Sequence, residues 1–298
     1  MGKGFTVRST EIRLLGLPCE DSYHIFPVSN MNIVADGVHR DCNNGEIVDA
    51  SLKGLLNSFY YPKPSPAEKA AQIFTGNFHH SFFSNYMLLE DSREDGPDEQ
   101  TIRKTFETIN SKDIREYNER EGFSYPPKDY TINYPAGCTA SVTFENKGLL
   151  YWGYIADCGV AIVDDKGNLV FRTKDEGPGK IGDYSCDVKS LGLSWKDSEG
   201  RAFTRKNFRN NPSEPRAVGI LNGMPEAMHY VRTGVQEINS KDYLLVYTDG
   251  LGEIIFGNDG DINGEVADKL KQKDFRGLER LCKKKIKKEG TLVVEGLF

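Results

Sequence analysis

Three short segments, far apart in the chain, each end an apolar, strand-like run with an aspartate. They are I-V-A-D-G at 33–37, Y-I-A-D-C-G at 154–159 and L-L-V-Y-T-D-G-L at 244–251. If these carboxylates converge in the folded chain, they raise each other's pKa unless a cation neutralises them. Oxygen-only clusters suit hard divalent ions such as Mg²⁺ or Mn²⁺. The segments therefore predict a metal site, and through it hydrolytic chemistry.

Composition and charge exclude several other classes of protein. The chain has 298 residues, of which 38% are hydrophobic, and a formal net charge of −6. An acidic chain is poorly suited to neutralising phosphates along a nucleic acid, so we expect no nucleic-acid partner. No apolar run approaches the ~18 residues of a membrane span. The six cysteines form no C-x-x-C pair, which disfavours a zinc framework. No signal peptide is visible, so we expect a cytoplasmic protein with reduced thiols. We also expect a monomer.

The amino terminus carries one weak targeting signal. Residues 1–6 fit the loose pattern for N-myristoylation, which would modify Gly2. A single acyl chain would anchor the protein only weakly.

Periodicity predicts strands, then helices, then strands again. Predicted strands lie at 5–7, 11–15, 32–35, 243–247 and 291–294, predicted helices at 45–60, 65–89, 100–121 and 265–288, and a β-meander at 140–172. Residues 173–215 are polar and predict a surface insertion. The simplest organisation is one domain over 1–298, with helices covering sheet faces.

The Asp-Gly pairs have two interpretations. Asp36-Gly37 and Asp249-Gly250 each follow a predicted strand, where an Asp-Gly turn is common. A metal site also favours this pair, because glycine lets its own carbonyl approach an ion closely. Asp157, together with Glu289 just before the last strand, favours the metal site.

The order of these motifs resembles the PPM family of metal-dependent protein phosphatases (type 2C serine/threonine phosphatases). Six segments carry the resemblance along nearly the whole chain: Cys19-Glu20-Asp21-Ser22, Val34-Ala35-Asp36-Gly37, Gly137-Cys138-Thr139-Ala140, Ala156-Asp157-Cys158-Gly159, the run 242–251 and the run 289–294. The resemblance implies an α+β fold, a four-layer α-β-β-α sandwich of two antiparallel sheets flanked by helices.

The resemblance also implies a catalytic centre with two ions, Mg²⁺ or Mn²⁺. Asp36 would bridge both ions, and the Gly37 carbonyl would bind one of them. Asp249 and Glu289 would bind the other ion. Such a pair of ions makes a bridging hydroxide available at neutral pH, without a covalent enzyme intermediate.

Further residues would surround this pair of ions. Asp157 would face a third, looser ion together with Asp249, and Glu20 and Asp21 would hold metal-bound waters. His39 is a candidate general acid for the leaving group, and its alternative is a solvated loop histidine.

The sequence departs from the family pattern in two places. Glu289-Gly290 replaces the expected Asp-Asn, and Gly16 stands where a phosphate-binding arginine is expected, with Arg13 the nearest arginine. The leading hypothesis is hydrolysis of phosphoserine and phosphothreonine, with a phosphorylated protein as the substrate. The alternatives are a catalytically weak regulatory or binding protein and a phosphatase of small phosphorylated molecules.

Overall fold

A computed structural model describes residues 2–38, 56–89, 96–131, 134–178, 180, 184–194, 197–257 and 260–297. Its ten strands are β1 Lys3–Arg8, β2 Asp21–Phe26, β3 Met31–Val38, β4 Gly137–Asn146, β5 Leu149–Ile155, β6 Gly159–Val163, β7 Leu169–Arg172, β8 Arg232–Glu237, β9 Tyr243–Tyr247 and β10 Glu289–Gly296. They form two five-stranded antiparallel sheets. The first sheet has the order β1-β10-β9-β6-β7 and the second has the order β2-β3-β4-β5-β8.

Helices cover the outer face of each sheet. The α-helices of the described residues are α1 Thr10–Leu14, α2 Pro66–Leu89, α3 Glu99–Thr108, α4 Arg115–Arg120, α5 Ser185–Ser190, α6 Ser198–Phe208, α7 Asp249–Ile255, α8 Gly264–Lys271 and α9 Phe275–Lys285. A π-helical turn, Ile109–Ile114, joins α3 to α4, and two 3₁₀ turns lie at Pro27–Ser29 and Pro225–His229. In the described part of the chain no helix is long and apolar enough to cross a bilayer.

Three apolar cores define four layers. Phe74, Phe78 and Phe106 of α2 and α3 pack on the second sheet. Side chains of α7, α8 and α9 pack on the first sheet. Between the sheets, Val34 of β3 meets Val293 of β10. The α-β-β-α sandwich predicted from the sequence is therefore confirmed.

The start of α2 follows from its sequence. The Ser65 hydroxyl accepts a hydrogen bond from the Glu68 backbone N–H at 3.0 Å, and Pro66 occupies the first helical position. The predicted helix 65–89 is confirmed. The predicted helix 45–60 lies mostly outside the described residues.

The predicted strand at 11–15 is wrong. These residues lie largely in α1, because Ser9 caps the helix by accepting a hydrogen bond from the Ile12 N–H at 3.4 Å. The N-cap at Ser9 therefore favours a helix over a strand in this short apolar segment.

The predicted meander at 140–172 has the correct strands but the wrong pairing. β4 pairs with β5, and β6 pairs with β7, but β5 and β6 belong to different sheets. The chain crosses between the sheets at 156–158, where Ala156 has a positive φ of 64°. The crossing places Asp157 at one end of the sandwich.

Two other predictions are refined. The polar insertion 173–215 contains the helices α5 and α6. The predicted helix 265–288 is split into α8 and α9, with Lys273 at a φ of 53° between them.

Candidate metal centre

Asp21 and Asp36 lie opposite each other on neighbouring strands. They are Cα partners in the antiparallel pairing of β2 with β3. Because side chains alternate along a strand, Asp36 shares the inner face of its sheet with Val34, which packs between the sheets. Both carboxylates therefore project into the space between the sheets, at its end.

The facing sheet contributes Glu289 from the start of β10. One carboxylate oxygen each from Asp21, Asp36 and Glu289 can be chosen so that all three lie within 4.8 Å of one another. Asp21 and Glu289 are buried, and Asp36 is partly exposed. Three carboxylates from three strands thus lie close together.

Thr248 orients the Asp21 carboxylate. Its hydroxyl donates to Asp21 Oδ2 at 2.8 Å and accepts from the Thr291 N–H at 2.8 Å, which ties β9 to β10. Asp21 Oδ1 is buried and has no hydrogen-bond partner among the described residues. A buried carboxylate oxygen without a donor is costly unless a cation satisfies it.

Glu20 faces a different environment from Asp21. Its buried carboxylate oxygen Oε1 accepts hydrogen bonds from the Tyr61 hydroxyl and, at 2.7 Å, from the Ser65 hydroxyl. Its backbone N–H donates to Glu289 Oε1 at 3.3 Å. Glu20 therefore contacts the cluster through its main chain, while its side chain supports the start of α2.

Two glycines allow the backbone to approach the cluster closely. A β-carbon on Gly37 would lie 2.6 Å from the Ala67 carbonyl oxygen of α2. A β-carbon on Gly290 would lie 2.9 Å from the Leu251 nitrogen and 2.8 Å from its Cγ. The second contact explains why this chain has glycine after Glu289, since helix α7 occupies the space that a side chain would need.

Asp157 and Asp249 line a cavity of about 590 Å³ beside the cluster. Asp157 lies at the crossing between the sheets, and Asp249 begins α7. Asp157 Oδ1 is buried and lacks a hydrogen-bond partner among the residues of the described ranges. These two aspartates extend the acidic centre toward solvent.

Burial and mutual repulsion raise the pKa values of these aspartates. Burial, with repulsion from Asp21 and Asp249, raises the pKa of Asp36 well above its usual range. Burial raises the pKa of Asp21 to about 6, against the hydrogen bond from Thr248. Burial, with repulsion from Asp249, raises the pKa of Asp157 to about 7. Burial also raises the pKa of Asp249, although Lys288 opposes the shift.

Comparisons with known proteins support the fold. A bacterial serine phosphatase is 14% identical, with a TM-score of 0.60 over 100% of this chain and 97% of its own. The catalytic domain of the Mycobacterium tuberculosis serine/threonine phosphatase PstP, in complex with two manganese ions, is 16% identical, with a TM-score of 0.53 over 99% of this chain and 96% of its own. The PPM Ser-Thr phosphatase MsPP from Mycobacterium smegmatis, in complex with cacodylate, is 14% identical, with a TM-score of 0.55 over 100% of this chain and 98% of its own.

This chain has the PPM phosphatase fold. At identities of 14–16% the similarity to these structures is one of architecture. No protein-family model matches the sequence, and no curated protein is significantly similar to it.

The acidic cluster of this PPM fold suits a hard divalent ion. All its side-chain donors are carboxylate oxygens, which are typical ligands of Mg²⁺ and Mn²⁺. Asp21 Oδ1 is buried without a hydrogen-bond donor among the described residues, and the pKa values of Asp21 and Asp36 are raised. Both features are expected of carboxylates that a cation would stabilise. The residues present therefore fit a metal ion.

Two contributors to the site were missed by sequence reasoning. No pattern in the sequence assigned a role to Thr248, although a threonine between the end of a strand and an aspartate can donate a hydrogen bond to a neighbouring carboxylate. Asp175, on the loop after β7, lines the same cavity and raises the pKa of Asp157. The surrounding polar sequence of 173–215 gave no signal for Asp175. His39 lies outside the described residues.

Proposed function

We propose that the protein hydrolyses phosphate monoesters of serine and threonine in a reaction that depends on Mn²⁺ or Mg²⁺. The observation that carries the proposal is the convergence of Asp21, Asp36 and Glu289 from three strands of the PPM fold. That fold is shared with serine/threonine phosphatases, one of which was solved with two manganese ions.

We assign the metal to particular residues of this chain. Asp36, Glu289 and Asp21 would hold it through carboxylate oxygens, with Asp249 and the Gly37 carbonyl completing a two-ion centre and Asp157 facing a third position. Bound ions would supply a hydroxide nucleophile at neutral pH and would offset the charge of the phosphate. The expected roles of Glu20, which would hold metal-bound waters, and of His39, as a proton donor, stay predictions.

The protein groups have defined tasks in this proposal. Thr248 fixes Asp21 through the 2.8 Å hydrogen bond, and the Glu20 N–H fixes Glu289. Such orienting contacts commonly affect metal affinity by about 10- to 100-fold. Asp249 and Asp157 line the cavity that a phosphate group would enter.

A cysteine nucleophile is disfavoured. Cys158 lies in the same cavity, but burial, with the charges of Asp157 and Asp36, raises the pKa of its thiol well above the usual range. Since the thiolate is the reactive form, Cys158 is a poor nucleophile. This favours the metal-dependent reaction over one in which this thiol is phosphorylated.

A catalytically weak regulatory protein is the alternative of a different class. Its sequence support was the replacement of Asp-Asn by Glu289-Gly290 and the missing arginine near Gly16. Glu289 nevertheless lies within the cluster, and Gly290 is explained by the approach of α7. These contacts favour a metal centre adapted to glutamate, so we retain phosphatase activity as the proposal.

The test is the hydrolysis of p-nitrophenyl phosphate with Mn²⁺, with Mg²⁺ and with EDTA. We expect metal-dependent turnover that falls about 100-fold in Asp36→Asn, because that carboxylate belongs to the cluster. The matched control is Asp165→Asn, an exposed aspartate in the turn between β6 and β7. Turnover that persists in EDTA, or is equal in the two variants, would contradict the proposal.

A further inference from the structure

Two cavities meet at Asp249. The larger, of about 590 Å³, lies toward the loop after β7. The smaller, of about 300 Å³, lies toward the turn between α9 and β10. Asp249, Glu253 and Lys287 line both cavities, so the two form one groove that passes the acidic centre on either side.

The groove concentrates positive charge in a chain whose net charge is −6. Arg172, Lys174, Lys180 and Lys287 line the larger cavity, and Lys285, Lys287 and Lys288 line the smaller one. The acidic lining residues are Asp157, Asp175, Asp249 and Glu253. Two of these, Asp157 and Asp249, belong to the proposed metal centre, where bound ions would offset their charge.

Several cations of the groove already have partners. Lys287 pairs with Glu253 at 3.0 Å, and Lys285 pairs with Glu265. Arg172 stacks on the Phe256 ring, with its Cζ 3.6 Å from the ring centroid. These residues form the walls of the groove.

Lys174 and Lys180 remain available to a ligand. Both are exposed, and neither forms an ion pair with another described residue. Lys288 likewise has no ion-pair partner within the described ranges, and it is close enough to Asp249 to oppose the rise in its pKa. Free lysines thus lie at both ends of the groove.

The loop that carries Lys174 is fixed against the acidic centre. The Glu176 N–H donates to the Ala156 carbonyl at 2.9 Å, next to Asp157. Gly177 lies directly against Asp157, since a β-carbon at Gly177 would be 2.6 Å from the Asp157 β-carbon. Lys174 is therefore held at the rim of the site by backbone contacts on its own loop.

We propose that this groove selects an extended phosphopeptide with acidic residues on both sides of the phosphorylated residue. The proposal rests on the phosphatase function proposed above. The phosphate would enter beside Asp249, one acidic flank would meet Lys174 and Lys180, and the other would meet Lys288. Positive charge on both sides of the centre suits an extended chain better than a compact phosphorylated molecule, which would occupy a single cavity.

The test uses three phosphoserine peptides that differ only in their flanks, which are acidic, neutral or basic. For the wild type with Mn²⁺ we expect kcat/KM to decrease in that order, and the preference to shrink at high salt. The double variant Lys174→Gln/Lys180→Gln should lose roughly 2- to 30-fold of the acidic-over-neutral preference, as expected for the removal of two exposed ion pairs. The control Lys166→Gln/Lys241→Gln removes the same charge from turns at the far end of the sheets and should keep the preference.

A binding measurement separates the failure of this proposal from the failure of the phosphatase function. The three peptides are made with a hydrolysis-resistant phosphonate in place of phosphoserine, and their affinities are measured by fluorescence anisotropy. Tighter binding of the acidic peptide, weakened in the Lys174/Lys180 variant, supports the groove even if turnover is absent. Equal affinity for the three peptides would overturn the proposed selection of acidic peptides, even if p-nitrophenyl phosphate is hydrolysed. So would a small bisphosphate that competes as well as the acidic peptide.

Discussion

Gly250 lies against the main-chain carbonyl of Glu289, so closely that a β-carbon on Gly250 would be 1.8 Å from that oxygen. This contact brings the first turn of α7, which carries Asp249, against the start of β10, which carries Glu289. The distance between the two carboxylates therefore depends on a glycine that has no chemical role of its own.

Substituting Gly250→Ala should force α7 away from β10. We expect the free energy of unfolding to fall by about 1–3 kcal/mol, as for overpacking elsewhere, and Mn²⁺ affinity to fall as well. Thermal unfolding and calorimetry measure the two effects. The matched control is Gly252→Ala in the same helix, whose β-carbon would make an ordinary contact at 3.5 Å with Tyr247. Equal behaviour of the two variants would refute the packing argument.

Restoring the residue typical of the family should harm this chain. In Gly290→Asn, the new β-carbon would lie 2.9 Å from the Leu251 nitrogen, so we expect a loss of about 1–3 kcal/mol of stability. Gly264→Asn, placed where a β-carbon meets no atom within 4 Å, is the control in a denaturant titration. A more stable or more active Gly290→Asn protein would show that the glycine is a defect rather than an adaptation.

Much of the fold was predictable because its signals are local. Ser65 followed by Pro66 marked the start of α2, and apolar runs marked most of the strands. Pairing was less predictable, because β5 and β6 are separated by only three residues and a turn between them looks like any hairpin. The assignment to different sheets depends on the backbone at Ala156 and on packing between distant strands.

The site was predictable to the extent that its residues end strands. Asp36, Asp157 and Asp249 could be recognised in this way, and Glu289 was placed by its position before the last strand. Asp21 was expected to hold metal-bound waters. Its place in one cluster with Asp36 and Glu289 could not be predicted, because the register of β2 against β3 cannot be read from either strand alone. The orientation of the Glu20 side chain depends on Tyr61, 41 residues away.

Glu20 and Asp21 should respond differently to neutralisation. Asp21→Asn should weaken Mn²⁺ binding by about 10- to 100-fold, because Asp21 lies in the carboxylate cluster. Glu20→Gln should mainly lower stability, since its carboxylate accepts hydrogen bonds from Tyr61 and Ser65. Calorimetric titration and thermal unfolding of both variants separate the two roles. A greater loss of Mn²⁺ affinity in Glu20→Gln would reverse the assignment.

The metal-free protein should become less stable as the pH rises. The unfolded aspartate pKa is near 3.9, whereas burial raises the pKa of Asp21 to about 6 and that of Asp157 to about 7. The folded chain therefore binds more protons than the unfolded chain between about pH 4 and 7, and its stability falls across that range.

Thermal unfolding in EDTA at pH 5 and at pH 8 measures this effect. The melting temperature should be lower at pH 8, the difference should shrink in Asp157→Asn, and Mn²⁺ should restore stability at pH 8. The electrostatic account would be contradicted if the melting temperature in EDTA rose from pH 5 to pH 8, by the same amount in the wild type and in Asp157→Asn.

The central claim is that Asp21, Asp36 and Glu289 hold a divalent ion between the two sheets. Anomalous diffraction from crystals grown with Mn²⁺ tests it most directly. We expect an anomalous peak in contact with Asp36 and Glu289, with a second peak toward Asp249, and neither peak in crystals of Asp36→Asn. Manganese bound elsewhere on the molecule, with none in contact with Asp36, would contradict the account.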